Sequence, residues 1–426
     1  MKIFLDSIGC RLNQSEIEKL AAHFREEGHE MVADPAAADL VVVNTCAVTA
    51  AASADSRNKI RGAARAGKAR IVATGCYATI DPQAIAKLHA VDFLIPNAEK
   101  DHLVSLVLGI QDLNPVAHFS RQPLPGSHKR TRAFIKVQDG CDNFCTFCIT
   151  RIARGSSRSQ PETEIFEDIS SALGGGANEI VLSGVNLGVW GKELEPQKTL
   201  AYLIKKIVER FSPPRIRLSS LEPWDIDDEF LDVLSLPGFC QHLHLPLQSG
   251  SDAVLKCMVR RSTTGDFESV VYRLRQSFPD IAITTDVMVG FPGEIEREFN
   301  ASLDFVRSME FAGGHVFSYS TRPGTAAEKL PDQIPSHIKK IRSAKIRDVI
   351  AQSAVGYRKR FIGRELNVLW EKSIPSNGYW RISGLTDNYL RVESTSKQDL
   401  YNKITQTEII NLNGLVMQVK SNILSE

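Results

Sequence analysis

Three cysteines within eight residues, Cys141, Cys145 and Cys148, lie in the run Gly140-Cys141-Asp142-Asn143-Phe144-Cys145-Thr146-Phe147-Cys148, directly after the apolar stretch 133–137. One loop with this spacing can wrap three thiolates around a compact metal centre. A structural zinc site closes with four ligands, and no fourth Cys or His lies nearby in sequence. Three ligands leave one metal position open. In a 4Fe-4S cubane that open iron can hold a small molecule, so the loop reads as a reactive centre.

The other cysteines, Cys10, Cys46, Cys76, Cys240 and Cys257, are scattered through a chain of 426 residues. Its N-terminus reaches Asp6 with no apolar run behind it, so no secretory signal is expected. The charge-free stretch between Asp39 and Asp55 is broken by Asn44 and Thr45, so no membrane span is expected. A cytoplasmic location follows as the expectation, with metal or redox chemistry rather than a disulfide framework for these thiols.

Hydrophobic patterning around the loop is of α/β type. Short apolar strands are expected at 2–5, 40–43, 70–73 and 91–95, with helical segments such as 15–27 between them, which predicts an N-terminal doubly wound parallel sheet. Cys10, Cys46 and Cys76 each fall just beyond the carboxyl end of one of these strands. Those ends share one edge in an open parallel sheet, so the three thiols can converge. From residue 133 the alternation resumes with a longer period: strands at 133–137, 179–183, 215–218, 242–245, 281–285 and 315–318, helices at 200–211, 266–278 and 296–309. Six such units predict an open, partial (β/α)6 barrel whose active site is built by the loops after the strands. Cys240 and Cys257 match no cluster motif and are expected to pack.

Beyond a basic helix at 336–360, five short strand-like runs at 366–370, 379–383, 390–393, 402–405 and 415–419 predict a small five-stranded β-barrel of OB-like size. The expected domains are 1–113, 133–360 and 361–426, with a Pro-, Gly- and basic-rich linker at 114–132. The formal net charge of +1 hides an asymmetry, because residues 337–426 hold 15 Lys and Arg against 8 Asp and Glu. A second basic stretch, 121–158, has only Asp139 and Asp142 as its acids. Basic patches on a neutral whole fit a polyanion engaging one face. Trp370, Tyr379, Trp380, Arg381, Tyr389 and Arg391 suit the bases and phosphates of an unstacked RNA loop, and equally suit alternating core and surface positions of strands.

Cys141, Cys145 and Cys148 match the CxxxCxxC motif of the radical S-adenosylmethionine (SAM) enzymes. Further runs narrow the resemblance: Ser7-Ile8-Gly9-Cys10-Arg11-Leu12-Asn13-Gln14-Ser15-Glu16, Asn44-Thr45-Cys46, Thr74-Gly75-Cys76, His244-Leu245-Pro246-Leu247-Gln248-Ser249-Gly250-Ser251, Asp286-Val287-Met288-Val289-Gly290-Phe291-Pro292-Gly293-Glu294, and Ser318-Tyr319-Ser320-Thr321-Arg322-Pro323-Gly324-Thr325. Together these resemble the methylthiotransferases over essentially the whole chain. The C-terminal barrel then resembles that family's RNA-binding TRAM domain. The resemblance implies two 4Fe-4S clusters, one on Cys141, Cys145 and Cys148 with SAM on its open iron, and an auxiliary one on Cys10, Cys46 and Cys76 carrying the sulfur to be transferred. One SAM methylates that sulfur, and a second is cleaved reductively to a 5′-deoxyadenosyl radical that removes hydrogen from the substrate. Electrons are expected from a low-potential donor such as flavodoxin or ferredoxin. SAM contacts are expected from Phe147, from Gly184, Val185 and Asn186, from Ser219 and Glu222, and from Gln248.

Gly9 to Gln14 with Glu16, and Gly140-Cys141-Asp142 with Ala153-Arg154-Gly155, are most similar to the branch acting on N6-threonylcarbamoyladenosine beside the tRNA anticodon. The alternatives are isopentenyladenosine in tRNA, an aspartate of a ribosomal protein or, in another class, a non-catalytic iron-sulfur RNA-binding protein. One departure stands out: Thr150-Arg151 occupies a place where the family commonly has Pro-Tyr.

Overall fold

The computed structural model describes residues 1–88, 90–110 and 131–420. The expected linker therefore lies, but for its last two residues, outside the described residues, as do Arg121, Lys129 and Arg130.

An all-parallel sheet of order β2-β1-β3-β4-β5 forms the N-terminal part, from β1 (Lys2–Ser7), β2 (Glu30–Met31), β3 (Leu40–Thr45), β4 (Arg70–Gly75) and β5 (Phe93–Ile95). Its centre is β3, LVVVNT, buried at every position. A parallel strand covered on both faces has to be a continuous apolar run, and the pleat divides it. Leu40 and Val42 join Ile17, Leu20 and Phe24 of the helix Arg11–Glu26, while Val41 and Val43 join Ile60 of the helix Ala50–Ala66 on the other side.

Six further strands form an open arc. β6 (Arg132–Lys136), β9 (Glu179–Ser183) and β10 (Ile216–Leu218) pair in parallel, as do β11 (His242–His244), β12 (Ala282–Val289) and β13 (Gly313–Ser318). Parallel bridges Ile216–Phe239 and Ser220–His244 link the two halves. β12 runs four residues beyond the expected 281–285, because β13 pairs with it as far as Val289. The two-residue strands β7 (Gln138–Asp139) and β8 (Arg158–Ser159), which close the cysteine loop as a small antiparallel pair, are too short to leave a periodic signal.

The helix Ser336–Lys359 leads to a closed barrel of order β14-β15-β16-β18-β17, from β14 (Glu365–Ser376), β15 (Tyr379–Thr386), β16 (Arg391–Ser396), β17 (Ile404–Asn413) and β18 (Val416–Val419). Closure obliges each strand to turn one face inward, and this decides between the two readings of the aromatic residues. Trp370 is fully buried with Nε1 donating to Thr405 Oγ1 at 2.8 Å, and Trp380 packs on the barrel core. Tyr389 stacks on His242 of β11, with centroids 4.1 Å apart, while Tyr379 remains exposed.

Two buried arginines weld this barrel to the central arc. Arg217 pairs with Glu179 at 2.7 Å and donates to the carbonyls of Thr386 and Asp387 at 3.1 and 3.0 Å. Arg215 donates to the carbonyls of Leu385 and Asn367 at 2.8 and 2.6 Å. Removing one partner of such a buried pair costs about 3–5 kcal/mol. Arg217→Met is therefore expected to lower the Tm and to expose residues 361–420 to early cleavage in limited proteolysis, with fragment masses as the readout.

Candidate functional site

The chain runs from β1 outward to β2 and then back across to β3, so the topological switch point, where ligands bind in open α/β sheets, lies between β1 and β3. Cys10, immediately before the helix Arg11–Glu26, and Cys46, immediately after β3, flank that point. Cys76 opens the helix Cys76–Ile80 after β4. The three thiols are close enough that a charge on Cys10 or Cys76 disfavours one on Cys46. Gly9 makes the approach possible: its φ is +98°, and a Cβ there would sit 2.5 Å from Cys46 Sγ. Polar neighbours orient the sulfurs, Asn13 Oδ1 accepting from Cys10 Sγ and Asn97 Nδ2 donating to Cys76 Sγ, both at 3.6 Å.

Burial pushes the Cys46 thiol up to about 11 and raises Cys10 despite Arg154 nearby. Ionising Cys10 and Cys46 thus calls for a cation at the thiols, as a bound metal centre would supply. Among the described residues no three Cys, His, Asp or Glu side chains gather at single-ion spacing. Three thiols are the kind of donor set that an iron-sulfur cluster takes.

The second triad hangs from the end of β6. Gly140, at φ +69°, is obligatory because a Cβ would meet the Ser156 carbonyl oxygen at 1.8 Å. Gln138 Nε2 donates to the carbonyls of Asp139 and Gly140, both at 2.8 Å, and Gln138 Oε1 accepts from Asn186 N at 2.8 Å, which ties the loop to the end of β9. Thr146 N donates to Met258 O at 3.1 Å, and Ala327 N to Thr146 O at 2.9 Å. Arg260 reaches Cys145 Sγ at 3.8 Å while donating to Glu222 Oε1 at 3.1 Å and to Pro246 O at 3.0 Å. Its guanidinium lies over the Trp224 ring at 4.7 Å. Burial pushes the Cys141 thiol up to about 11.

A cavity of about 810 Å³ runs along the inside of the arc. It is lined by Cys10 and Cys46 together with Gly184, Ser219, His242, His244 and Asp286. Of the residues expected to contact SAM, Gly184 and Ser219 thus share the cavity with Cys10 and Cys46, with Gly184 N donating to Ser219 Oγ at 3.3 Å. The others do not line this cavity. Phe147 packs against the cluster of Met258, Phe291 and Tyr319, and Val185 is half-buried in the loop after β9. Asn186 Oδ1 is buried with no hydrogen-bond partner among the described residues. Glu222 is engaged by Arg260, and Gln248 takes φ +71° with its N–H on Asp286 O at 2.8 Å. Arg260 and Asn97 escaped the sequence analysis because each meets its cysteine loop only through tertiary contact, and Gln138 because its tie to Asn186 spans 48 residues.

Cys240 packs as expected, 1% exposed, with Sγ 3.8 Å from Glu179 Oε2. Cys257 does not: it ends the short helix Asp252–Cys257 and is exposed. The helix turn there faces solvent, which corrects the expectation. Arg151, of the departing Thr150-Arg151 pair, lies 3.8 Å above the exposed ring of Phe144.

An open (β/α) arc with a three-cysteine loop at the end of its first strand defines a radical SAM enzyme. Residues 135–306 match the radical SAM superfamily, and residues 2–96 match the family described as uncharacterized protein family UPF0004. The chain belongs to the radical SAM methylthiotransferases of the MtaB type. It is 37% identical to the threonylcarbamoyladenosine tRNA methylthiotransferase MtaB of Thermotoga maritima, over 91% of this chain and 90% of the relative. The Bacillus subtilis protein of the same name is 33% identical over 95% and 92%. The tRNA-2-methylthio-N(6)-dimethylallyladenosine synthase of Clostridium tetani is 30% identical over 95% and 93%. The fold is similar to that of the radical SAM methyltransferase TsrM from Kitasatospora setae, with a TM-score of 0.59 and 16% identity, covering 77% of this chain and 75% of that one. Its chemistry thus draws on an iron-sulfur centre and SAM. No helix of the described residues is long and apolar enough to cross a membrane.

Burial pushes the Cys240 thiol up to about 12. Iodoacetamide at pH 8 is therefore expected to alkylate Cys257 and spare Cys240 in the iron-loaded protein, as peptide mass spectrometry would read directly.

Proposed function

We propose that this chain converts N6-threonylcarbamoyladenosine beside the tRNA anticodon into its 2-methylthio derivative, using two 4Fe-4S clusters. The observation that carries the reading is the cavity lined at once by Cys10 and Cys46 and by Gly184 and Ser219 of the radical SAM arc, in a chain 37% identical to a relative bearing that activity. We assign Cys141, Cys145 and Cys148 to the cluster that takes SAM, and Cys10, Cys46 and Cys76 to the auxiliary cluster. When bound, these groups supply the radical and the methylthio sulfur; the protein's own task is alignment and exclusion of water. Gly184 and Ser219 border the SAM position, with Phe147, Val185, Asn186, Gln248 and the Arg260-held Glu222 around it. Arg260 beside Cys145 and the Gln138 amide on the Gly140 carbonyl hold the loop in place.

Residues 1–113, 133–360 and 361–426 act as auxiliary-cluster, radical SAM and TRAM-like RNA-binding units. The outer face of the β14–β15 hairpin supports the last assignment, since Lys372, Ile374, Tyr379 and Arg381 are exposed there. A low-potential donor such as flavodoxin or ferredoxin delivers the electrons, in the cytoplasm where the tRNA is modified.

Nucleoside mass spectrometry of tRNA from cells with and without the gene tests the reaction. Loss of 2-methylthio-N6-threonylcarbamoyladenosine, with its precursor accumulating, is expected. Loss of the methylthiolated isopentenyl nucleoside instead would move the chain to the other tRNA branch. For the RNA face, deleting residues 361–426 is a poor test, because it would strip Arg215 and Arg217 of the carbonyls that satisfy them. Lys372→Ala with Arg381→Ala is expected to weaken tRNA binding and to reduce the slope of log K against log salt by about 2. Filter binding across a salt series reads this, and an unchanged slope would remove the assignment.

A further inference from the structure

The helix Thr150–Arg154 starts two residues after Cys148 and ends against the N-terminal sheet. Its last two residues reach both of the neighbouring cysteine positions. The Ala153 carbonyl accepts from Asn97 Nδ2 at 2.8 Å, and the same nitrogen lies 3.6 Å from Cys76 Sγ. Arg154 Nη2 donates to Asn13 Oδ1 at 2.8 Å, the oxygen that accepts from Cys10 Sγ at 3.6 Å. One amide, Asn13, therefore stands between Arg154 and Cys10, and another, Asn97, between Ala153 and Cys76. The loop holding one cysteine set is in this way bolted to the other set.

Arg154 also brings charge. Its side chain is 2% exposed, and Nη1 is 2.9 Å from both Glu16 Oε1 and Asp139 Oδ1. Lys100 lies 2.8 Å from Glu16, and Lys136 2.9 Å from Asp139, with side chains 5% and 10% exposed. Three cations against two carboxylates leave one positive charge in this buried group. Arg158, 4.0 Å from Asp139, is 56% exposed and its charge is screened by water. Three thiolates on a 4Fe-4S core are net negative, and reduction adds a further negative charge. A fixed cation in a low-dielectric setting favours the reduced form, since net charge and surroundings set such potentials.

We propose that Arg154 is a positioning residue that locks the N-terminal cluster to the radical SAM loop and, through its buried charge, raises that cluster's reduction potential. This rests on the reading that Cys10, Cys46 and Cys76 hold a 4Fe-4S cluster. The experiment is an EPR-monitored redox titration of the full chain carrying Cys141→Ala, Cys145→Ala and Cys148→Ala, which isolates the N-terminal cluster. Adding Arg154→Met is expected to shift its midpoint to more negative values, and Arg154→Lys to restore most of the shift. Glu16→Gln, which removes a negative charge from the same group, is expected to shift the midpoint the opposite way. A merely structural role has no reason to produce opposite signs. Should Arg154→Met fail to fold, Arg154→Lys and Glu16→Gln still carry the comparison. Unchanged midpoints at about four irons per chain overturn the inference while leaving the cluster assignment standing. Absence of iron from the triple-cysteine protein overturns the assignment, and the inference with it.

Discussion

The buried carboxylate of Glu16 is the point on which the two cysteine sets depend. Burial alone would push it up, but Lys100, Arg154 and Lys136 outweigh that effect and hold it well below the usual carboxylate range. It is thus charged, and its partners come from every segment that must be aligned. Asn44 Nδ2, two residues before Cys46, donates to it at 3.1 Å; Lys100 follows β5; Lys136 ends β6; Arg154 closes the cysteine loop. Asp139 is lowered for the same reason, the attraction of Lys136 and Arg154 overcoming its burial.

A second junction brings in the C-terminal barrel. Tyr389 enters from the loop before β16 at φ +66°, a conformation costly for a tyrosine. Its neighbours hold it there: His242 stacks on the ring, Arg217 lies 5.1 Å from its centroid, and its hydroxyl accepts from Arg11 Nη2 at 3.2 Å. Arg11 is the residue after Cys10. The C-terminal barrel, the floor of the arc and the Cys10 loop thus meet around one side chain at the edge of the cavity.

The convergence of Cys10, Cys46 and Cys76 was legible in the sequence because topology alone places successive strand ends on one edge. The helix 200–211 and the strand 179–183 were legible to the residue, since their apolar periods are uninterrupted. Other features were hidden because they depend on partners distant in the chain. Glu16 and Arg154 are 138 residues apart, and nothing in either neighbourhood announces the other. Trp370 and Tyr379 lie on one hairpin, yet one is core and the other surface. Alternation fixes that two faces exist, while barrel closure decides which face is inside.

That the interface between the two cysteine sets carries an ionic network beside the apolar packing of Ala153 follows from what it must do. A buried ion pair gains little stability over a well-packed hydrophobic contact, since desolvation consumes most of the Coulombic attraction. An apolar interface also tolerates sliding, because its energy depends on area and hardly on angle. Charge-assisted hydrogen bonds do not slide: Arg154 can meet Glu16, Asp139 and Asn13 together only in one orientation of its planar guanidinium. Reaction between groups held by separate loops is sensitive to displacements of about 1 Å. A network that costs stability but admits a single register is the arrangement such alignment requires.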